Sequence, residues 1–252
     1  MEMIVPSVAY PYTAASNNRV HSLTGLLQPS GLTLAGLSKD GVVVQAEQTG
    51  HIGTAREKVG LLRSGALLKH IYFLPEALLL TPAAIFKEEE ATTWLCQLFP
   101  CLPAAVKSIY LSKSALHLTY AEEPSLQDEL SPLQQELTLR PLPQCLLESP
   151  AEGFLFCLLD AMAVGVLHLN GQLRWYQQFE YTTPEDVLWQ ALSAAQDAGL
   201  HPQGLQLQVL GVSPQTAAVA ATLANYFAMS EPAADPWDPV LALFQKMSTC
   251  AS

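Results

Sequence analysis

Residues 154–186 read FLFCLLDAMAVGVLHLNGQLRWYQQFEYTTPED, and this stretch decides the fold. Phe154 to Leu159 is an unbroken apolar run that ends at Asp160-Ala161. Val164 to Leu169 is a second run, closed by Asn170-Gly171, and Leu173 to Tyr181 is a third. Asn-Gly is a strong hairpin signal, because both central residues of a type I′ turn need positive φ. The three runs are therefore expected to form an antiparallel meander. Thr183-Pro184-Glu185-Asp186 follows, placing threonine at an N-cap, proline at the first helical position and acids in the first turn. The helix so announced extends to about Asp197 with an apolar stripe at Leu188, Ala191, Leu192 and Ala195. A single strand, Leu205 to Leu210, then leads through Gly211-Val212-Ser213-Pro214 into a helix from Gln215 to about Phe227. The unit reads βββ-α-β-α.

Working outward, the same order recurs roughly 130 residues earlier, and an internal period of that length exposes architecture before any motif does. Ser22 to Leu27 precedes Pro29-Ser30-Gly31, Leu32 to Leu37 precedes Asp40-Gly41, and Val42 to Glu47 is the third run. Thr54-Ala55-Arg56-Glu57 has capping-box spacing. The fourth strand of this half is expected at Leu78-Leu79-Leu80, followed after Thr81-Pro82 by a helix to about Leu98. The first half then adds a hairpin (Ser108 to Leu111 with Ala115 to Tyr120) and a polar helix, Ser125 to Leu137. Arg140-Pro141-Leu142-Pro143 has the composition of an inter-domain linker, and the lobes are drawn as 1–150 and 151–252. After Trp237 a short amphipathic helix carries Val240, Leu241, Leu243, Phe244 and Met247, and is expected to pack on the first lobe.

Of the 252 residues, 12 are Lys or Arg and 23 are Asp or Glu, a net charge of −11. Nucleic acid is disfavoured as a partner, because phosphate neutralisation requires clustered cations. The imbalance is concentrated in residues 151–252, where Arg174 and Lys246 are the only cations against nine acids. Half of the chain is hydrophobic and only 14% is charged, so it buries enough apolar surface to offset its ordering entropy. MEMIVPSVAY lacks the layout of a secretory signal, and the run from Phe154 to Leu169 is broken by Asp160 and His168, so no membrane insertion is expected. Five scattered cysteines fit a reducing cytoplasm.

The segment from Leu169-Asn170-Gly171 through Phe179-Glu180-Tyr181-Thr182-Thr183-Pro184-Glu185-Asp186, with the later helix and Leu210-Gly211, resembles a small bacterial family of unknown function. That family has the actin-like ATPase (ribonuclease H-like) fold, and the duplicated βββ-α-β-α pattern is similar to that superfamily as a whole. The resemblance implies two lobes with nucleotide between them, Asp-x-Gly turns on the phosphates and a Gly-Gly turn on the adenosine. Such a site needs carboxylates to organise Mg²⁺ and glycines to let amides approach phosphate. The chain departs from the pattern three times. Its first turn, Pro29-Ser30-Gly31, has no carboxylate; Asp160-Ala161-Met162 lacks the glycine; Gly211-Val212-Ser213 keeps one glycine of two. Ser30, Gly31, Asp160, Gly211 and Ser213 are the candidate nucleotide-binding residues if the site survives.

Other chemistry has less support. Gly211-x-Ser213 sits between strand and helix like a nucleophile elbow, but Gln215 replaces the trailing glycine and no histidine follows the serine. Ser213 is read as an N-cap. The six histidines show no zinc spacing, Cys96 and Cys101 read as a helix-end pair, and Glu88-Glu89-Glu90 as a solvated first turn. Gly50-His51-Ile52-Gly53, with Arg56 and Lys58 nearby, is a candidate anion site. The expectation is a cytoplasmic, catalytically silent binding or scaffold protein, without catalytic residues, metal or cofactor, whose partner is another protein or a second copy. The alternative is a divergent nucleotide-binding protein or weak ATPase that holds ATP or ADP with Mg in the inter-lobe cleft.

Overall fold

The computed structural model of the protein describes residues 12–13, 19–49, 66–123, 126, 130, 137–149, 152–229 and 238–250. The chain divides into two compact units, residues 1–148 with 247–252 and residues 149–246.

The first unit contains strands β1 (Tyr12–Thr13), β2 (Ser22–Gln28), β3 (Gly31–Leu37), β4 (Val43–Thr49), β5 (Leu67–Phe73), β6 (Leu78–Pro82), β7 (Val106–Leu111), β8 (Leu116–Ala121) and β9 (Thr138–Pro141). Helices α1 (Glu88–Leu98) and α2 (Leu142–Leu147) belong to it as well. Its main sheet has the order β1-β4-β3-β2-β5-β9. The meander β2-β3-β4 is antiparallel, while β5 is parallel to β2 and β9 parallel to β5. Leu23, Leu26, Leu32, Leu34, Leu68 and Ile71 are fully or almost fully buried in it. The turn at Asp40-Gly41 is not a two-residue type I′ hairpin: Gly41 alone has positive φ, and the Val42 amide donates to Ser38 Oγ.

Two expectations for this half are corrected. The fourth strand of the repeat is Leu67–Phe73, because it is this segment that runs parallel beside β2. Leu78–Pro82 is a strand too, but it pairs with β8 in a separate three-stranded sheet of order β6-β8-β7. Likewise Arg140-Pro141 is no linker. It closes β9, where Pro141 pairs with Phe73, and α2 follows directly with Leu142 and Leu146 buried. Proline is tolerated there because a strand at the sheet edge need not donate outward. The cap at Thr54-Glu57 and the Gly50-Gly53 anion site lie outside the described residues, as do Trp237 and most of the helix expected over Ser125–Leu137.

The second unit contains β10 (Gly153–Leu158), β11 (Met162–Leu169), β12 (Gln172–Glu180), α3 (Pro184–Asp197), β13 (Gln206–Gly211), α4 (Thr216–Leu223) and β14 (Ala228–Met229). Its sheet order is β12-β11-β10-β13-β14, with an antiparallel meander and β13 parallel to β10. This is the strand order of the first sheet without β1. Asn170 and Gly171 have φ of 55° and 71°, the pair of positive values that their sequence called for. Asp186 accepts the amides of Thr182 and Thr183 at 2.9 and 2.8 Å, which lowers its pKa and closes the start of α3. One face of the sheet is packed by Phe154, Phe156, Leu158, Phe179, Leu207 and the buried sides of α3 and α4.

Helix α5 (Asp238–Cys250) crosses the division, its residues from Met247 onward belonging to the first unit. Those residues are bonded to that unit as expected. Tyr72 Oη donates to the Met247 carbonyl at 2.7 Å, Ser248 Oγ to the Gly41 carbonyl at 3.2 Å, and an Arg140 guanidinium nitrogen to the Cys250 carbonyl at 3.0 Å.

Candidate functional site

Ligands of open α/β sheets bind outside the carboxyl ends of the strands, so the ends of β10 and β13 are the place to look in the second unit. Three of the candidate residues meet there. Leu158 pairs with Gly211, which sets the turn after β10 beside the turn after β13. Asp160 lies in the first turn, half-exposed; Gly211 closes β13; Ser213 follows it and is buried.

Gly211 has φ +141°, and a Cβ on it would stand 2.1 Å from the Leu158 carbonyl oxygen. The glycine is thus required by the close approach of two strands of the chain itself. The turn beyond it folds onto the same atoms. The amides of Val212 and Ser213 both donate to the Leu158 carbonyl, at 3.0 and 3.3 Å. Residue 214 is proline, with no amide to give. The Gln215 amide donates to Ser213 Oγ at 3.2 Å, and the Thr216 amide to the Ser213 carbonyl at 3.1 Å. Ser213 is therefore not the N-cap of α4, a position held by Gln215. Its hydroxyl instead closes a small turn with the Gln215 amide, just ahead of the helix.

Tyr181 joins these turns, and it was not singled out from the sequence. Its phenol is buried, donates to the Leu159 carbonyl at 3.0 Å, and lies 2.7 Å from Ser213 Oγ. Gln215 Nε2 adds a bond to the Thr182 carbonyl at 3.3 Å. Burial raises the pKa of Tyr181; the Ser213 hydroxyl pulls it down, while the Asp160 carboxylate and Cys157 push it further up. A signal was available: Tyr181 continues the alternation of Trp175 and Phe179 and immediately precedes the capping residues. Tyr181→Phe is expected to cost about 1–2 kcal/mol, since Leu159 and Ser213 lose a buried partner. A raised phenol pKa contributes stability below pH 10 that is lost as pH rises toward the folded value. Urea melts from pH 8 to 11 should therefore show a shallower alkaline decline in the variant than in the wild type.

Ser30 and Gly31 belong to the first unit. Pro29 and Ser30 form the exposed turn between β2 and β3, and Gly31, at φ +143°, pairs with Gln28 to open β3. Elsewhere, Glu90 pairs with Lys87 at 2.7 Å in the exposed first turn of α1. Cys96, in the last turn of the same helix, and Cys101 beyond it bring their sulfurs to 3.0 Å, and burial followed by the Cys96 contact pushes the Cys101 thiol up to about 11. Among the described residues no three His, Cys, Asp or Glu side chains cluster as metal ligands, and no helix is long and apolar enough to cross a membrane.

Residues 70–229 match the family described as "Protein of unknown function (DUF3822)". No curated protein matches the chain. Among solved structures, a Bacteroides thetaiotaomicron VPI-5482 protein with actin-like ATPase fold and unknown function is similar at a TM-score of 0.70 and 13% identity. The match covers 92% of this chain and 97% of that one. Cyto-EpsL, the cytoplasmic domain of EpsL, an inner membrane component of the Vibrio cholerae type II secretion system, is similar at a TM-score of 0.53 and 15% identity. It covers 90% of this chain and 94% of that one. The fold is the actin-like ATPase fold, with a sheet in each lobe.

Proposed function

Because the chain belongs to the DUF3822 family of proteins of unknown function, we propose that it uses the actin-like fold as a catalytically silent binding or scaffold module. One observation carries this reading. From residue 212 to residue 216 every backbone amide is either bonded to the protein itself, to the Leu158 carbonyl or within the turn, or absent at proline, so the turn that the resemblance assigns to the adenosine has no free amide for a ligand. Side-chain cations do not compensate. Arg174 and Lys246 are the only ones in residues 151–252, and Lys246 Nζ is bonded to Ser149 Oγ at 2.8 Å. The nucleotide and Mg²⁺ that the fold suggests therefore do not fit the residues of this turn. That the fold also serves in cyto-EpsL, part of a secretion-system component, is consistent with use in an assembly.

Thermal shift with millimolar ATP or ADP and Mg²⁺, on wild type and Asp160→Ala, tests the reading. No shift is expected in either protein. A ligand at a hundred times its dissociation constant stabilises by about 2.7 kcal/mol, so real binding would be plain. A wild-type shift lost in Asp160→Ala would establish the nucleotide-binding alternative instead.

A further inference from the structure

The two sheets differ at one edge. In the first, the outer edge of the third meander strand is covered: β1 pairs antiparallel with β4, Tyr12 opposite Ala46 and Thr13 opposite Gln45. In the second, the corresponding strand β12 is nine residues long, and among the described residues β11 is its only strand partner. An open edge of that length presents a row of outward amides and carbonyls, a template for a further strand.

The side chains along β12 indicate what fits. Arg174-Trp175-Tyr176-Gln177-Gln178-Phe179-Glu180 is complementary to itself when reversed about Gln177. Laid antiparallel against a second copy, Arg174 faces Glu180, Trp175 faces Phe179, Tyr176 faces Gln178, and Gln177 faces Gln177. Opposite charges and aromatic pairs are the cross-strand combinations that stabilise such ladders, at about 0.2–1 kcal/mol each. The register also satisfies the backbone. Facing residues lie an even number of positions apart in the chain, so whichever alternate set points its amides outward does so in both strands. Arg174 and Glu180 are exposed, so both are placed to meet an incoming strand. Trp175 and Phe179 already pack about Phe156, tilted and edge-on with centroids at 6.0 and 6.4 Å, and their pairing would extend that aromatic row across the junction. A register shift between Leu167 and His168 skips Arg174, and the ladder with β11 resumes with Leu173 opposite His168. That Arg174 is one of two cations in residues 151–252 and lies on this edge sharpens the match with Glu180.

We propose that β12 is a self-complementary edge through which two copies of this chain join antiparallel about a two-fold axis at Gln177, fusing two five-stranded sheets into one. This deepens the scaffold reading and rests on it for its role, but the contact needs no nucleotide. Because so short a junction buries less than the ~1,200 Å² of a stable interface, the dimer is a weak, concentration-dependent one.

Sedimentation equilibrium from about 10 µM to about 1 mM without nucleotide is the experiment, a range that brackets weak association. Wild type should show a monomer–dimer equilibrium. Arg174→Glu and Glu180→Arg should each weaken it about tenfold, because the two-fold axis sets two like-charge pairs in place of two attractive ones. The double exchange Arg174→Glu with Glu180→Arg should restore association to within about threefold of wild type. Circular dichroism and melting temperature, expected unchanged for these exposed positions, verify folding. A wild-type monomer at every concentration, or dimers indifferent to single reversals, or no recovery in the double exchange, overturns the proposal. A monomer that also shows no nucleotide shift would sink this interface and leave the silent-fold reading standing, whereas a nucleotide shift would sink the latter alone.

Discussion

Gly211→Ala is expected to destabilise the second unit by about 3–5 kcal/mol. Two costs combine. At φ +141° an L side chain is strained, and such outliers cost about 1–3 kcal/mol. The new methyl would also stand 2.1 Å from the Leu158 carbonyl oxygen and 2.7 Å from its amide nitrogen, which forces β10 and β13 apart, and overpacking of that kind costs about 1–3 kcal/mol. Gly199→Ala is the control. It also has positive φ, 70°, but its methyl would meet nothing within 4 Å, so about 1–2 kcal/mol is expected. A urea titration of both variants and wild type decides the matter. Equal losses at the two positions would mean that the close approach of Gly211 to Leu158 contributes nothing, and the structural account of that glycine would fail.

Phe156→Ala is expected to cost a similar amount, about 3–5 kcal/mol, through lost transfer energy and the cavity left behind. Phe156 is fully buried on β10, with ring centroids of Phe154, Trp175 and Phe179 at 5.7, 6.0 and 6.4 Å. Trp189→Ala provides the contrast within the same unit. Trp189 is 70% exposed on α3, so its removal should change stability by less than about 0.5 kcal/mol. The same urea titration reads both, and a loss at Trp189 comparable to that at Phe156 would show that this helix face is packed. Because a protein of two units need not unfold in one step, midpoint and slope should be fitted for each phase that appears.

These two positions show what could be read along the chain. The meander of the second unit was legible because its signals are local. Asn170-Gly171 asks for positive φ at both residues, and Thr183 to Asp186 carries its own capping chemistry, so neither depends on what packs nearby. Phe154 and Phe156 declared themselves by alternating within an apolar run. The actin-like reading followed from the order of such signals, repeated.

The fourth strand of the first half was misplaced for the opposite reason. Leu67–Phe73 contains Lys69 and His70 and has no turn motif to announce it, whereas Leu78-Leu79-Leu80 is conspicuously apolar. What makes the former the fourth strand is its parallel pairing with β2, a contact across about 45 residues that no local pattern encodes. Pro141 misled similarly, since a proline cluster describes a linker and a sheet edge equally well.

The amino-acid sequence by itself determined the actin-like order of elements in the second unit, its Asn-Gly hairpin and the cap at Thr183, the charge that disfavours nucleic acid, and the absence of glycine and carboxylate from the turns that the resemblance assigns to phosphate. These are properties of composition and of neighbours along the chain. Only the tertiary structure decided how the surviving residues are used. Gly211 serves the approach of β10 to β13, Ser213 and Tyr181 knit three turns together, and among the described residues β12 pairs with β11 alone while β1 covers its counterpart in the other sheet. Each depends on segments distant in sequence meeting in space, where steric contact and hydrogen bonding assign a role that residue type alone leaves open.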